Sequence, residues 1–205
     1  MKNSFKTPAL YNYLIYLTQL PEFCKSKEII LSYLPQFSSI DLKEDAHIAM
    51  RMALEDHETY ILPINLGTNE TINIFWDINF IIEKIKSEKR KSQQMAITEI
   101  LEYTKISKSD NTTLEEVKLA RLKNRKFKYK LKEIILTQLR VVPQLIVIDG
   151  NHRFFEAVLD KKDYVDTIII PPDEAIYFLL PNSHKLMLLW SNMDIQVKFN
   201  TLIQG

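Results

Sequence analysis

Glycine and cysteine are scarce in this chain of 205 residues, and their scarcity excludes several classes of protein. The only glycines are Gly67, Gly150 and Gly205. A P-loop needs two glycines five residues apart, and a dinucleotide-binding fingerprint needs three within six residues, so neither motif can be written here. The single cysteine, Cys24, permits neither an intrachain disulfide nor a zinc site built on cysteines.

A large net charge and a long apolar run are also missing. The chain has 27 Lys and Arg against 26 Asp and Glu, a net charge of +1, so no global basic field attracts it to nucleic acid. No run approaches the roughly 18 apolar residues of a membrane span. The apolar N-terminal stretch is interrupted by Asn12 and Gln19, and no small-residue cleavage site follows it. We therefore expect a cytoplasmic protein with no membrane partner.

The hydrophobic pattern changes along the chain. Residues 1–58 predict helices, because apolar residues recur there at helical spacing. The β-rich runs Tyr60–Leu66 and Thr71–Trp76 predict a hairpin, and helical patterns return at about residues 78–125. Later apolar or alternating runs predict strands at Leu145–Asp149, Asp166–Ile170 and Ile195–Phe199.

These patterns predict an α+β fold with some α/β-like alternation. We expect a helical N-terminal extension over residues 1–58 and a domain with a small mixed β-sheet over residues 59–205. A helical insertion at about residues 78–125 would interrupt that domain.

The segment Leu145–Leu159, LIVIDGNHRFFEAVL, predicts a strand, a tight turn and a helix. Gly150 allows the turn to adopt a positive φ. The amides of Asn151, His152 and Arg153 then open the helix, where unpaired N–H groups and the helix dipole attract an anion. Helix physics alone favours Asp or Glu at this end, yet the sequence has two cationic residues. We therefore predict that Gly150 and the three residues after it bind a phosphate group.

Phosphoryl transfer needs a base and usually a metal-binding carboxylate, and three residues around the turn are candidate catalytic groups. Asp149 could pair with Arg153 or fix the tautomer of His152. Glu156 follows His152 by one helical turn and could orient its imidazole. Asp173 is a further carboxylate that we expect near Asp149, because strand ends on one side of a sheet converge. No spacing of histidines and carboxylates predicts a protein-held metal.

The only dense basic run contains Lys126, Lys128, Lys130 and Lys132. Alternation with Phe127 and its neighbours favours a strand with four ammonium groups on one face. Such a face could bind a phosphate backbone or a triphosphate. Two other interpretations stay open: a helix that spreads the charges, and a solvated edge strand whose lysines prevent aggregation.

The sequence Asp-Gly-Asn-His-Arg at residues 149–153, the apolar strand before it and the small Ala157 after it resemble the core motif of the ParB/sulfiredoxin superfamily. The resemblance implies that the turn binds the phosphates of a nucleotide, ATP or CTP with Mg²⁺. It also implies that the strand at Asp166–Ile170 lies beside the motif strand, and that the Tyr60–Leu66 run supplies the first strand of the same sheet.

Departures from the family pattern reduce the number of family functions that are expected for this chain. Sulfiredoxins have cysteine where Asn151 stands, so sulfiredoxin chemistry is not expected. Too few residues follow Arg153 for the helix-turn-helix domain of a partition clamp. The first hypothesis is a stand-alone protein that binds a nucleotide or phosphorylated small molecule, as a kinase or nucleotide hydrolase. A DNA-associated partition, regulatory or nuclease-like protein using Lys126–Lys132 is the second. The third is a protein-interaction module with N-terminal helices that contact a partner and a vestigial phosphate site.

Overall fold

The predicted α+β class is confirmed by the computed structural model, which describes residues 4–104, 111–123, 128–140 and 142–204. The chain divides into two units. Unit 1 comprises residues 1–77 and 176–205, and unit 2 comprises residues 78–175. The predicted boundary at residue 58 falls inside unit 1, between its N-terminal helices and its hairpin.

Unit 1 consists of helices around one hairpin. Its elements are α1 (Pro8–Leu17), a 3-10 helix (Pro21–Ser26), α2 (Lys27–Ser32), α3 (Leu34–Ser38), α4 (Leu42–Leu54), β1 (Thr59–Asn65), β2 (Thr71–Asp77), a 3-10 helix (Ile176–Phe178) and α10 (Pro181–Gln204). β1 and β2 are antiparallel, with Thr59 opposite Asp77, which confirms the predicted hairpin.

The packing of unit 1 follows the helical spacing of its apolar residues. Pro8 stands in the first turn of α1, where its missing N–H costs nothing, and Leu10, Leu14 and Leu17 are buried along one face. Trp76 of β2 is completely buried in the same unit. Apolar burial on this scale is the main stabilising contribution to such a unit.

The predicted strand at Ile195–Phe199 is wrong, because these residues belong to the long helix α10. The run alternates in the manner of a strand, but Met193 and Val197 are buried at a spacing of four. Leu186, seven residues before Met193, is also buried. The helical spacing of buried residues over the longer segment therefore determines the structure here, and the short alternation does not.

Unit 2 contains a four-stranded sheet covered by helices. Its elements are α5 (Ile78–Glu88), β3 (Gln93–Ala96), α6 (Ile97–Tyr103), α7 (Asn111–Leu122), β4 (Ile134–Leu139), β5 (Val142–Asp149), α8 (Asn151–Leu159), β6 (Tyr164–Ile170) and α9 (Pro172–Ala175). The strand order is β3-β6-β4-β5. β3 is antiparallel to β6, β6 is parallel to β4, and β4 is antiparallel to β5. The sheet is therefore mixed, as predicted.

Two placements implied by the family resemblance are wrong. β4 lies between β5 and β6, so the run Asp166–Ile170 is not beside the motif strand. β1, which contains the run Tyr60–Leu66 up to Asn65, pairs with β2 in a separate two-stranded sheet. In addition, the predicted helical insertion contains the strand β3, which the sequence pattern did not indicate.

The core of unit 2 forms between α8 and the sheet. Phe154 and Ala157 of α8 are buried in one cluster with Ile134, Leu136 and Val147. This packing fixes the angle at which the helix leaves the end of β5, and so it positions the turn at Gly150. Within the described part of the chain, every helix is too short or too polar to span a bilayer.

Candidate functional site

Gly150 joins β5 to α8 in the left-handed conformation, with φ +101° and ψ 17°. This confirms the prediction of a positive φ at the turn. A side chain at this position would also clash, because an added Cβ would lie 3.1 Å from the Cα of Ile134 and 2.9 Å from Nη2 of Arg153. The turn therefore needs glycine both for its backbone conformation and for the close approach of its neighbours.

Arg153 folds back over this turn and is largely buried. Its Nη2 donates to Oδ2 of Asp149 at 2.6 Å, and its Nη1 donates to the carbonyl of Leu131. The ring of Tyr129 covers the guanidinium, with Cζ 5.2 Å from the ring centroid. The Nε atom is buried and has no hydrogen-bond partner among the described residues. Of the two roles considered for Asp149 in the sequence analysis, the pair with Arg153 is thus present.

The three predicted catalytic residues have three different partners. Asp149 pairs with Arg153. Nε2 of His152 lies 3.0 Å from Oε2 of Glu116 on α7, at an exposed position. Glu156 accepts the hydroxyl of Tyr129, and burial together with this hydrogen bond raises the pKa of that tyrosine. The fold therefore does not join Asp149, His152 and Glu156 through shared hydrogen bonds.

The reason for expecting Asp149 near Asp173, two strands that end on the same side of the sheet, is wrong. Asp149 pairs with Ile135 near the start of β4, whereas Ile170, just before α9, pairs with Thr137 further along β4. Because β5 runs antiparallel to β6, the chain leaves the two strands in opposite directions. Asp173 instead forms an ion pair with Arg140, with 2.5 Å between its Oδ1 and Nη2.

The predicted lysine strand is wrong for the residues that the structure describes. Lys128, Lys130 and Lys132 precede β4 and lie outside any strand, and Lys126 lies outside the described residues. The strand begins at Ile134, where the chain gains β6 and β5 as neighbours on its two sides. These three lysines therefore do not share one face of a strand. Lys130 is engaged elsewhere, since its Nζ donates to Oδ1 of Asn79 at 2.6 Å.

A cleft of about 480 Å³ lies in unit 2 beside α8. One face of the helix forms a wall, with Arg153, Glu156, Ala157 and Asp160 at positions i, i+3, i+4 and i+7. The small side chain of Ala157 leaves room in the middle of this wall. The rest of the lining comes from the sheet and from the chain before β4: Gln94, Tyr129, Leu131, Lys132, Ile134, Lys162, Tyr164, Val165 and Asp166.

The cleft contains only part of the predicted site. Arg153 and Glu156 line it, whereas Gly150, Asn151 and His152 do not appear in its lining. Sequence reasoning missed Gln94, Lys162, Tyr164 and Asp166. The helical spacing from Arg153 to Asp160 could have indicated the wall formed by α8, but pairing between β3 and β6 had no signal in the sequence.

The charges of the lining are balanced. Three cations, Arg153, Lys132 and Lys162, share it with three carboxylates, Glu156, Asp160 and Asp166. Arg121 of α7 neutralises Asp160 through a 2.7 Å hydrogen bond to Oδ1. The ammonium groups of Lys132 and Lys162 are exposed and form no ion pair within the described residues, so they can act on a ligand.

The described residues contain no group of three or more histidine, cysteine, aspartate or glutamate side chains that could hold a metal ion. A Mg²⁺ bound to a nucleotide needs only one or two protein carboxylates besides the phosphates. The lining of the cleft includes three carboxylates, Glu156, Asp160 and Asp166. The protein residues therefore fit a magnesium ion only as part of a nucleotide complex.

No protein-family model matches the chain, no curated protein matches its sequence, and no solved structure matches its fold. The resemblance to the ParB/sulfiredoxin superfamily thus rests on the residues of the turn, and membership stays a prediction.

Proposed function

We propose that this protein binds a phosphorylated small molecule, with nucleotides as the first class to test, in the cleft beside α8. One observation carries the proposal: two basic candidates from separate parts of the sequence line the same cavity. Arg153 comes from the turn after β5, and Lys132 comes from the basic run before β4. Lys162, after α8, adds a third cation to the lining.

The three cations have different roles in this proposal. Arg153 is held by Asp149 and by the ring of Tyr129, so it forms a fixed part of the wall. Lys132 and Lys162 are exposed and can turn their ammonium groups toward a bound phosphate. The phosphate contacts therefore lie along the side of α8, beyond the helix N-terminus that the sequence indicated.

Binding is the proposed activity, and catalysis is not part of it. A base must reach the ligand, and neither Asp149 nor His152 belongs to the cleft lining. Glu156 does line the cleft, but it accepts the hydroxyl of Tyr129. DNA binding by Lys126–Lys132 gains no support from the described residues, because their lysines share no strand face.

A thermal-shift panel tests the proposal. It contains ATP, ADP, CTP, GTP and inorganic phosphate, each with and without Mg²⁺. A ligand at about 100 times its dissociation constant stabilises the folded state by roughly 2.7 kcal/mol, enough to raise the melting temperature visibly. We expect the shift to shrink in Lys132→Ala and in Lys162→Ala.

Lys86→Ala is the matched control, because Lys86 is an exposed lysine of the same unit that does not line the cleft. Its shift should equal that of the native protein. The proposal fails if no member of the panel stabilises the native protein, or if all three lysine variants respond as the native protein does.

A further inference from the structure

The equal numbers of cationic and anionic side chains in the cleft restrict the class of ligand further than the proposed function does. The inference below rests on that function. The lining has as many carboxylates as cations. A triphosphate would meet repulsion as well as attraction there, because like charges at short range oppose binding. A ligand with one phosphate and a separate group of N–H donors can satisfy both signs of charge.

Three side chains of the β3–β6 pair are suited to a group that carries those N–H donors. Gln94 lies directly opposite Asp166 in the antiparallel register. Side chains of such a pair are on the same face of the sheet, with Cβ atoms about 4.5–5.5 Å apart. Tyr164 precedes Asp166 by two residues, so its ring is on that face too. All three line the cleft.

These groups differ in what they can bind. The carboxylate of Asp166 only accepts hydrogen bonds when ionised, and it forms no ion pair with another described residue. The amide of Gln94 both donates and accepts. Tyr164 is about 58% exposed, and its ring offers a flat surface on which a base can stack.

We infer that the cleft takes a guanine nucleotide with a single phosphate group. Guanine presents two adjacent N–H donors, N1–H and the N2 amino group, next to the acceptor O6. Asp166 accepts the two donors, the amide N–H of Gln94 donates to O6, and Tyr164 stacks on the ring. Lys132 and Lys162 bind the phosphate.

Calorimetric titration of the full chain with GMP, IMP, GTP and inorganic phosphate tests this assignment. IMP lacks only the amino group that Asp166 would bind, so GMP should bind about tenfold more tightly than IMP. GTP should bind no more tightly than GMP, because its additional charges meet the carboxylates.

Asp166→Asn gives a second test, since it removes the charge and keeps the shape. We expect this variant to lose the preference for GMP over IMP and to bind GTP severalfold more tightly than the native protein does. Asp163→Asn is the control, because Asp163 is an exposed carboxylate near the same strand that does not line the cleft. It should keep the native preferences.

The outcomes separate the inference from the proposed function. If phosphate ligands bind but GMP and IMP bind equally, the guanine assignment is overturned and the phosphate site stands. If GTP binds much more tightly than GMP, the charge-balance reasoning is overturned. If none of the four ligands binds, both the inference and this part of the proposed function fail.

Discussion

Two helix N-termini, one in each unit, have side chains of opposite charge at the positive end of the helix dipole. At the start of α10, the buried Asp45 of α4 accepts the amides of Asn182 and Ser183 at 3.0 and 2.6 Å. A carboxylate there complements the helix dipole. At the start of α8, a cation, Arg153, occupies the first turn, and Asp149 neutralises it.

The two carboxylates differ in their surroundings. The carboxylate of Asp45 is completely buried, and it also accepts a hydrogen bond from the hydroxyl of Ser183 at 2.7 Å. Its oxygens therefore accept hydrogen bonds from groups of unit 1. Asp149 instead pairs with Arg153, and Arg153 lines a cleft that also contains Lys132 and Lys162. An internal contact in one unit thus corresponds, in the other, to one wall of a candidate binding site.

The largest effect is expected for Asp45→Ala. This change leaves two amides and a hydroxyl buried without their acceptor, and we expect it to lower the free energy of unfolding by about 4 kcal/mol. Urea denaturation measures the loss. Glu44→Ala is the control, because Glu44 is on the same helix but accepts only a 3.2 Å bond from the Asn182 amide at an exposed position. A loss below about 1 kcal/mol for Asp45→Ala would contradict the structural role given to that carboxylate.

Gly150→Ala should cost about 2 kcal/mol or more, because it adds a backbone contact to an unfavourable φ. Gly67→Ala separates the two causes. Gly67 also has a positive φ, +76°, but its added Cβ would meet only the ring of Tyr16, at 3.5 Å. We expect Gly67→Ala to cost about 1 kcal/mol by the same denaturation measurement. Equal losses of stability at the two glycines would show that the crowding beside Arg153 adds nothing to the cost of Gly150→Ala.

Replacing Tyr129 tests whether its ring holds Arg153. We expect Tyr129→Leu to lower the free energy of unfolding by about 1 kcal/mol, because it removes the cation–π contact and the hydrogen bond to Glu156. Tyr129→Phe keeps the ring and should cost about half as much. Tyr164→Leu, at an exposed tyrosine of the same cleft, should change stability by less than about 0.5 kcal/mol. A Tyr129→Leu variant as stable as the native protein would show that the ring of Tyr129 does not hold Arg153.

A smaller effect is expected in unit 1 at alkaline pH. Burial raises the pKa of Tyr13 in unit 1 to about 12, while its hydrogen bond with Trp190 acts in the opposite direction. The folded state therefore keeps this proton to higher pH than the unfolded state does. Its contribution to stability is complete below about pH 10 and is lost as the pH rises through 12.

Tyr13→Phe removes this titration. Denaturation of the native protein and the variant at about pH 9 and about pH 11 should show a smaller alkaline loss in the variant. An identical pH dependence in both proteins would mean that Tyr13 titrates in the folded state as it does in the unfolded chain.

The sequence predicted those elements whose pattern is local and strong. The helices within residues 1–58, the hairpin of β1 and β2 and the strand-turn-helix around Gly150 were all predictable, because turn residues and apolar spacing agree there. The positive φ of Gly150 followed from its position between a strand and a helix.

Elements that depend on distant partners could not be predicted in this way. The four-residue strand β3 forms only because β6 offers it an edge, and its polar sequence carries no strand pattern. The alternation at Lys128–Lys132 suggests a strand, but the strand starts later, at the buried Ile134. Similarly, the cleft depends on strand order, which placed β4 between β5 and β6 and brought Lys132 beside Arg153.

The most direct measurement is the dissociation constant of a phosphorylated ligand for the Lys132→Ala/Lys162→Ala double variant. The ligand is the panel member that stabilises the native protein most, and calorimetric titration compares the native protein, the double variant and Lys86→Ala. We predict at least about tenfold weaker binding to the double variant and native affinity in the control, because each lost charge-assisted hydrogen bond weakens binding. Native affinity in the double variant would contradict the assignment of this cleft as the phosphate site.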